Sequence, residues 1–409
     1  MKLASNKKLA LSKIIDKVDA KVRTSLEDEH KALRTFNEIK KILETKLDNV
    51  KIFYCGSNAR GTGIGKPDLD IFVRFNQENK MFEKLEKAAK GITKWQKNYA
   101  SHPYLKGKFN NFDIEVVPCL KFNGKIKSAV DRTIVHQEFM LKHLNEKNKK
   151  DIRVLKQLLK TQEIYGAEPP AHGFSGYLLE CMVYYLKGLE GIVEFDFKEN
   201  TSIGISQKTF SESILTVIDP IDSERNVAAV VSKQAYAKFI KILKILREKP
   251  NEKIFYNSIS KKRLVKGNWI QVTLEAKEPV KEIVLSSSLK IMNGIKNNLE
   301  KNDFQVLYNS IEDMNKQIIL NFLIDRLKIN YKKIIGPPVY NERALKSFLK
   351  AKRIAGPFIE DMNYAIIIKP VNDEPIKTIE KYLKTGVIKQ EIIKVKKISM
   401  KNQNTILEE

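Results

Sequence analysis

Apolar residues recur at helical spacing from the start of the chain. Leu11, Ile14, Ile15, Val18 and Val22 form one stripe with charges between them, and Leu33, Phe36, Ile39, Ile42 and Leu43 form a second, so two amphipathic helices are predicted before residue 45. The period then changes. Lys51–Cys55, Asp70–Phe75 and Phe112–Val117 are short runs rich in β-branched and aromatic residues. They read as strands, the first ending at Gly56 and the third stopped by Pro118. A helix over about 80–99 is expected between the last two. This mixture predicts an α/β catalytic module over the first 140 residues. From 141 to 257 the pattern is helical: Leu155, Leu158 and Leu159 mark one face, a helix runs from Gly176 past Tyr185, and another covers 233–247. That stretch is expected to be all helix. After 258, Asn268–Leu274, Phe304–Tyr308 and Gln317–Leu323 read as strands, while Leu289, Met292, Ile295 and Leu299 make one helix face. From Gly336 a small basic segment carries helices near 341–351 and 375–384. The changes of period divide the chain into 1–140, 141–257, 258–335 and 336–409, with no internal repeat or low-complexity linker.

Charge adds a partner to this outline. Of 409 residues, 74 are Lys or Arg and 49 Asp or Glu, a net +25 spread along the chain. Such an excess attracts polyanions through long-range fields and counterion release. Nucleic acid is the leading partner and an anionic membrane surface the second; a lysine-rich composition that serves solubility alone is the plainer reading. Hydrophobic residues make up 42%, so disorder is not expected. Cys55, Cys119 and Cys181 are far apart with no CxxC spacing, which predicts neither a zinc site nor a disulfide framework and fits a reducing cytoplasm. No apolar run approaches membrane-spanning length.

The candidate chemistry lies in Gly56-Ser57-Asn58-Ala59-Arg60-Gly61-Thr62, then Asp68-Leu69-Asp70 opening one strand, and Asp113-Ile114-Glu115 within another. Residues two apart on a strand share a face. If the two strands are neighbours, Asp68, Asp70 and Glu115 converge, with Asp113 in the same phase as Glu115. Like charges at close range repel unless a cation joins them. Mg²⁺ suits this set, because it takes a few carboxylates together with substrate phosphates and assists in-line phosphoryl displacement. The Gly-Ser turn lets backbone N–H groups approach a triphosphate, with Ser57, Arg60 and Thr62 as further donors. Alone, a Gly-Ser is usually just a turn, and an Asp-x-Asp a solvated strand end. In strand–turn–carboxylate–strand order, residues 50–120 resemble the nucleotidyltransferase superfamily of polymerase β type. That motif specifies chemistry but not the acceptor.

Further blocks narrow the resemblance: His102-Pro103-Tyr104, Asp113–Cys119, Lys127–His136, Ile164–Glu168, Gly173–Tyr177 and Asp219–Ala229. In this order and spacing the chain resembles the class I, archaeal-type CCA-adding enzymes, closely over 30–250 and more loosely to about 370. The resemblance implies an α+β multidomain fold with a polymerase β-like nucleotidyltransferase head, a helical neck, a small αβ body and a tail. It implies addition of C, C and A to the tRNA 3′ end from CTP and ATP, without a template and with Mg²⁺. Carried over, Asp68, Asp70 and Glu115 are the catalytic, metal-binding carboxylates. Ser57 and Arg60 contact the triphosphate; His102, Thr133, His136, Lys156 and Tyr165 line the nucleotide or its triphosphate; Arg225 reads the base edge. Body and tail are expected to grip the acceptor stem and T arm, in a cytoplasmic protein that forms a homodimer through its tails. Taken without the resemblance, His136 is an ordinary helix residue, Lys156 a solvated face, Tyr165 a helix-end staple, and Asp219 and Asp222 helix caps. The chain departs from the family in carrying Glu115 where Asp is common, a short glycine-rich loop at 63–67, and a lysine-rich end after about 370. Two other functions use the same features: a poly(A)- or oligo(A)-type polymerase, and an inactive basic RNA-binding module. Arg225 with Asp222 argues against the first and the intact carboxylate trio against the second.

Overall fold

The computed structural model describes residues 3–77, 80–99, 103–121, 129–168, 171–206, 208–260, 262–277, 281–314, 317–370, 372–385, 392–401 and 405–408. The chain forms two compact units, Met1–Ile259 and Ser260–Glu409.

In the first unit the two amphipathic stripes fold as α1 (Ser5–Val22) and α2 (Leu26–Glu44), the latter capped by the Ser25 side chain on the Asp28 N–H. There follow β1 (Lys51–Cys55), a four-residue turn of helix α3 (Gly56–Ala59), β2 (Leu69–Phe75), α4 (Met81–Ala89), β3 (Gln96–Tyr99), β4 (Pro103–Phe109) and β5 (Phe112–Leu120). The strands make one sheet in the order β1-β2-β5-β4-β3, with β2 and β5 parallel at its centre. Alternation along β2 and β5 gives the sheet two different faces. Leu69, Ile71, Val73, Ile114 and Val116 pack against Phe36, Ile39 and Leu43 of α2 and Leu85 of α4. Asp70 and Glu115 fall on the other face, whose apolar part, Phe72, Val117 and Cys119, is covered by Ile134.

Two expectations for this region are corrected. The helix expected over 80–99 stops at Ala89, and Gln96–Tyr99 is a strand in a hairpin with β4; Gly91, at φ +92°, lies between helix and strand. The third strand runs through Pro118 to Leu120. The ladder with β4 covers only Phe112–Val116, so at Pro118 only the β2 side is paired and the missing N–H costs nothing there.

The chain continues through α5 (Thr133–His143), α6 (Glu146–Thr161), α7 (Gly176–Leu186), α8 (Leu189–Glu194), β6 (Thr201–Ile203), β7 (Leu215–Asp219), β8 (Asp222–Asn226) and α9 (Lys233–Glu248). Leu155, Leu158 and Leu159 of α6 share a core with Leu178 and Leu179 of α7 and Phe239 and Ile242 of α9. Leu11, Ile15 and Val18 of α1 belong to this core and not to the sheet, so the N-terminal helix serves the helical part of the unit. That part is not all helix: β6, β7 and β8 form a small sheet. The fully buried Leu215–Asp219 run makes its central strand. Asp219 and Asp222 face each other across the β7–β8 turn instead of capping helices.

The second unit comprises β9 (Lys262–Val265), β10 (Asn268–Ala276), α10 (Lys281–Lys301), β11 (Val306–Met314), β12 (Gln317–Ile324), β13 (Lys332–Pro338), α11 (Glu342–Phe348), β14 (Ala355–Glu360), β15 (Asn363–Ile368), α12 (Pro375–Leu383), β16 (Ile393–Lys401) and β17 (Thr405–Glu408). One sheet has the order β11-β12-β10-β16, and Ile295 and Leu299 of α10 and Ile379 of α12 share a core with its apolar residues. The lysine-rich end therefore returns as an edge strand beside β10, while β13, β15 and β14 form a separate sheet. No helix is long and apolar enough to cross a membrane among the described residues.

Candidate active site

The β2–β5 register sets Asp70 directly beside Glu115. On the far side of Glu115 stands Lys106 of β4, whose Nζ donates to Glu115 Oε1 at 2.8 Å. On the far side of Asp70 stands Cys55, the last residue before the Gly56 turn. Gly56 has φ +78°, and a Cβ there would collide with Asp70 Oδ2. Only glycine lets the turn lie against the carboxylate. Asp68 sits exposed before β2, its carboxylate accepting a short hydrogen bond from Asn58 Nδ2. Asp113, in phase with Glu115, is exposed at the start of β5 and pairs with Lys108 at 3.4 Å.

The Asp70 carboxylate makes no hydrogen bond to any described residue. Burial, then the charges of Asp68 and Glu115, push its carboxyl up to about 7, against the opposing pull of Arg60 and Lys106. Among the described residues no three acidic, His or Cys side chains enclose a cation by themselves. A crowded carboxylate without donors beside two others suits an ion that completes its shell with phosphate oxygens and water.

The loop after the turn is clamped by the helices. Arg60 donates from Nε to Glu180 at 3.1 Å and from NH1 to Gln137 at 2.6 Å. The Thr62 hydroxyl donates to Glu180 at 2.7 Å. Arg153, held by Asp19 of α1, donates to Gly61 O at 2.5 Å, and Lys156 Nζ donates to Thr62 O at 2.9 Å. Burial lowers the Lys156 ammonium to about 8, although Glu180 opposes the shift. The glycine-rich segment at 63–67 is pinned as well: Ile64 bridges to Arg23, and Gly65 O accepts from the Thr24 hydroxyl at 2.9 Å. Tyr165 lies half-buried near Gly176 and Lys156, its hydroxyl pushed up to about 12 by burial.

Opposite the carboxylates, Asp219 gathers four donors. Tyr177 OH and the Ile221 N–H reach Oδ1 at 3.0 and 3.1 Å, while Arg225 NH1 and His136 Nε2 reach Oδ2 at 2.8 and 2.9 Å. The His136 and Tyr177 rings stack at 4.1 Å. Burial would raise the Asp219 carboxyl, but the bonds from His136 and Arg225 hold it at about 2. Burial lowers the His136 imidazole, with Asp219 opposing, so the ring is neutral at pH 7.

Of the residues expected from sequence, Asp70, Glu115, Arg60, Thr133, His136 and Arg225 line one cleft of about 340 Å³. Ser57, in the Gly56 turn, and Asp68, before β2, are not among its lining residues, although the Asp68 charge acts on Asp70. Lys156 and Tyr165 are not among its lining residues; Lys156 holds the loop from the helical side. His102 lies outside the described residues. Sequence reasoning missed four contributors: Lys106, Glu180, Asp219 and Tyr177. Glu180 carried a signal, as the single charged residue in the helix GYLLECMVYYL; a buried charge in an apolar helix implies a partner.

Comparisons with known proteins agree with this architecture. Residues 36–136 match the nucleotidyltransferase domain family, 150–256 the second domain of tRNA nucleotidyltransferase, and 267–394 the C-terminal domain of CCA-adding enzyme. The solved structure of the Cid1 poly(U) polymerase shares the fold, with a TM-score of 0.51 at 14% identity over 62% of this chain and 100% of that one. Fold and cleft together define a nucleotidyltransferase. The CCA-adding enzyme of Pyrobaculum islandicum is 30% identical, covering 85% of this chain and 88% of that one. Those of Methanococcus maripaludis (32%; 79% and 81%) and Methanocaldococcus jannaschii (30%; 84% and 84%) are similar to it as well. The chain belongs to the CCA-adding enzyme family.

Proposed function

We propose that this tRNA nucleotidyltransferase adds C, C and then A in the cleft between the sheet and the β7–β8 hairpin, using CTP and ATP, with Mg²⁺ held by Asp68, Asp70 and Glu115. The observation that carries the reading is the Asp70–Glu115 pair, side by side against the Gly56 turn and facing Arg225 across one cleft. Nucleotidyltransferases of this family work with divalent metal ions; bound here, the ion would neutralise the carboxylates and favour attack of the tRNA 3′-hydroxyl on the α-phosphorus, with pyrophosphate leaving. Ser57 and Arg60 hold the triphosphate, Arg60 oriented by Glu180 and Gln137. Thr133 and His136 line the nucleotide, and by the family resemblance His102, Lys156 and Tyr165 contribute to binding it or its triphosphate, Lys156 also holding the loop through Thr62 O. Arg225, with a planar fork of donors, meets the base edge.

In this reading 1–140 and 141–257 act as catalytic head and neck, while 258–335 and 336–409 bind the acceptor stem and T arm through phosphates and duplex shape. Exposed Ile335, Ile359 and Met362 in the β13–β15 region suit a homodimer contact. The buried thiols of Cys55, Cys119 and Cys181 suit the cytoplasm.

The test is extension of tRNA transcripts lacking CCA, ending in C, or ending in CC, with Mg²⁺ and CTP, ATP or both. Growth that stops after C, C and A, and is abolished by Asp70→Ala, is the expected result. Long A tracts on any RNA would instead identify a poly(A)-type enzyme, and salt-sensitive tRNA binding without extension an inactive RNA-binding protein.

A further inference from the structure

We propose that Asp219 is the positioning residue for nucleotide choice: it fixes the guanidinium of Arg225 and the tautomer of His136, so that the cleft offers a set donor beside a set acceptor. This rests on the reading above that the incoming base lies at the Arg225 end. The Asp219 side chain has no exposed surface, and its four donors come from α5, α7, the β7–β8 turn and β8. A carboxylate held from so many elements has no freedom to turn.

Both groups it holds line the cleft. Arg225 commits only NH1 to Asp219; its other guanidinium hydrogens have no partner among the described residues, and the side chain is a third exposed. For His136, a carboxylate can only accept, so Nε2 carries the proton and Nδ1 of the neutral ring is an acceptor. Nδ1 likewise has no partner among the described residues. The two groups share one oxygen, Oδ2, and therefore lie side by side.

Cytosine and adenine present the same pattern on the Watson–Crick edge, a ring nitrogen acceptor beside an amino donor. Uracil and guanine present the reverse, a ring N–H beside a carbonyl. A fixed donor next to a fixed acceptor complements the first pair and opposes the second, leaving buried groups unpaired with the wrong base. Without Asp219, Arg225 is free to swing and His136 to carry its proton on Nδ1, which reverses the acceptor.

The experiment measures kcat/KM for CTP against UTP on transcripts lacking CCA, and for ATP against GTP on transcripts ending in CC. Thermal unfolding and tRNA Kd are followed in parallel. Asp219→Asn is expected to lower both ratios by about tenfold or more while tRNA affinity stays unchanged. Asp219→Glu keeps the charge but displaces it by one methylene; it is expected to lower the ratios too, and carries the test if the Asn variant does not fold. Tyr177→Phe removes a bond from Oδ1 and leaves both bonds on Oδ2, so its effect is expected to be smaller. If Arg225→Ala keeps full discrimination, the base does not lie at this end and the functional reading of Arg225 fails. If Arg225→Ala loses discrimination while folded Asp219 variants keep it, the role given to Asp219 is overturned.

Discussion

Two carboxylates serve one cleft in opposite states: Asp70, half-buried, lines it, and Asp219, fully buried, holds the His136 and Arg225 that line it. The Asp70 carboxylate has no hydrogen-bond donor among the described residues, and burial with the charges of Asp68 and Glu115 outweighs Arg60 and Lys106 and raises it to about 7. Asp219 has four donors, and its carboxyl falls to about 2. Burial penalises both; what separates them is the sign and number of their partners. The difference separates chemistry from recognition. The Asp70 end is left electrostatically incomplete, as a site that receives a cation and phosphates must be. The Asp219 end is complete without ligand, as a surface that reads a base must be if it is to keep one shape.

The largest effect expected from breaking the contrast is on rate. Asp70→Asn keeps the volume but removes the charge that faces the cation, and extension should slow by about a thousandfold or more. The folded protein should be no less stable without added metal, because a repulsive charge has been removed. Unchanged extension would remove Asp70 from the chemistry.

The next effect is on stability against pH in metal-free protein. Asp70 ordinarily titrates at 3.8 and here at about 7, so between those values the folded state binds the extra proton. Its contribution is present below about pH 4 and lost as pH rises through 7, an upper limit of about 4 kcal/mol. Chemical denaturation should show this decline, and Asp70→Asn or added Mg²⁺ should flatten it.

A third test narrows the space at the turn. Gly56→Ala places a methyl group against Asp70 Oδ2 at φ +78°, which should cost about 3 kcal/mol and reduce extension together with stability. A normal unfolding midpoint would mean that the turn is not pressed against the carboxylate.

The smallest effect is the acid counterpart at the other end. The Asp219 carboxyl lies below its ordinary 3.8, at about 2. Its stabilisation is thus present above pH 4 and lost as pH falls through 2, about 2 kcal/mol in all. Asp219→Asn should remove that part of the acid limb while leaving the slope between pH 4 and 7 in place.

The sequence made much of this visible. Alternation placed Asp70 and Glu115 on one strand face each, and residue order supplied the resemblance that added Arg60, His136 and Arg225. What pattern could not reveal is pairing. Lys106 stands opposite Glu115 because β4, a strand the pattern did not predict, pairs antiparallel with β5. Asp219 looked like a cap because its strand was expected to be helical, and the side chains of His136 and Tyr177, distant in sequence, meet on it together with the nearby Arg225 and the Ile221 N–H. The α1 stripe showed that the helix buries a face but not against what; its partner is the α6–α9 core and not the neighbouring sheet. Local periodicity names faces, whereas tertiary contact decides their partners.

The most direct measurement of the division of labour is a side-by-side kinetic comparison of Asp70→Asn and Arg225→Ala on one tRNA transcript lacking CCA, with CTP and UTP each supplied separately. Asp70→Asn should slow both nucleotides by the same factor and leave their ratio intact, while Arg225→Ala should collapse the ratio. If Asp70→Asn changes the ratio and Arg225→Ala slows both nucleotides equally, the assignment of chemistry to one end of the cleft and selection to the other is contradicted.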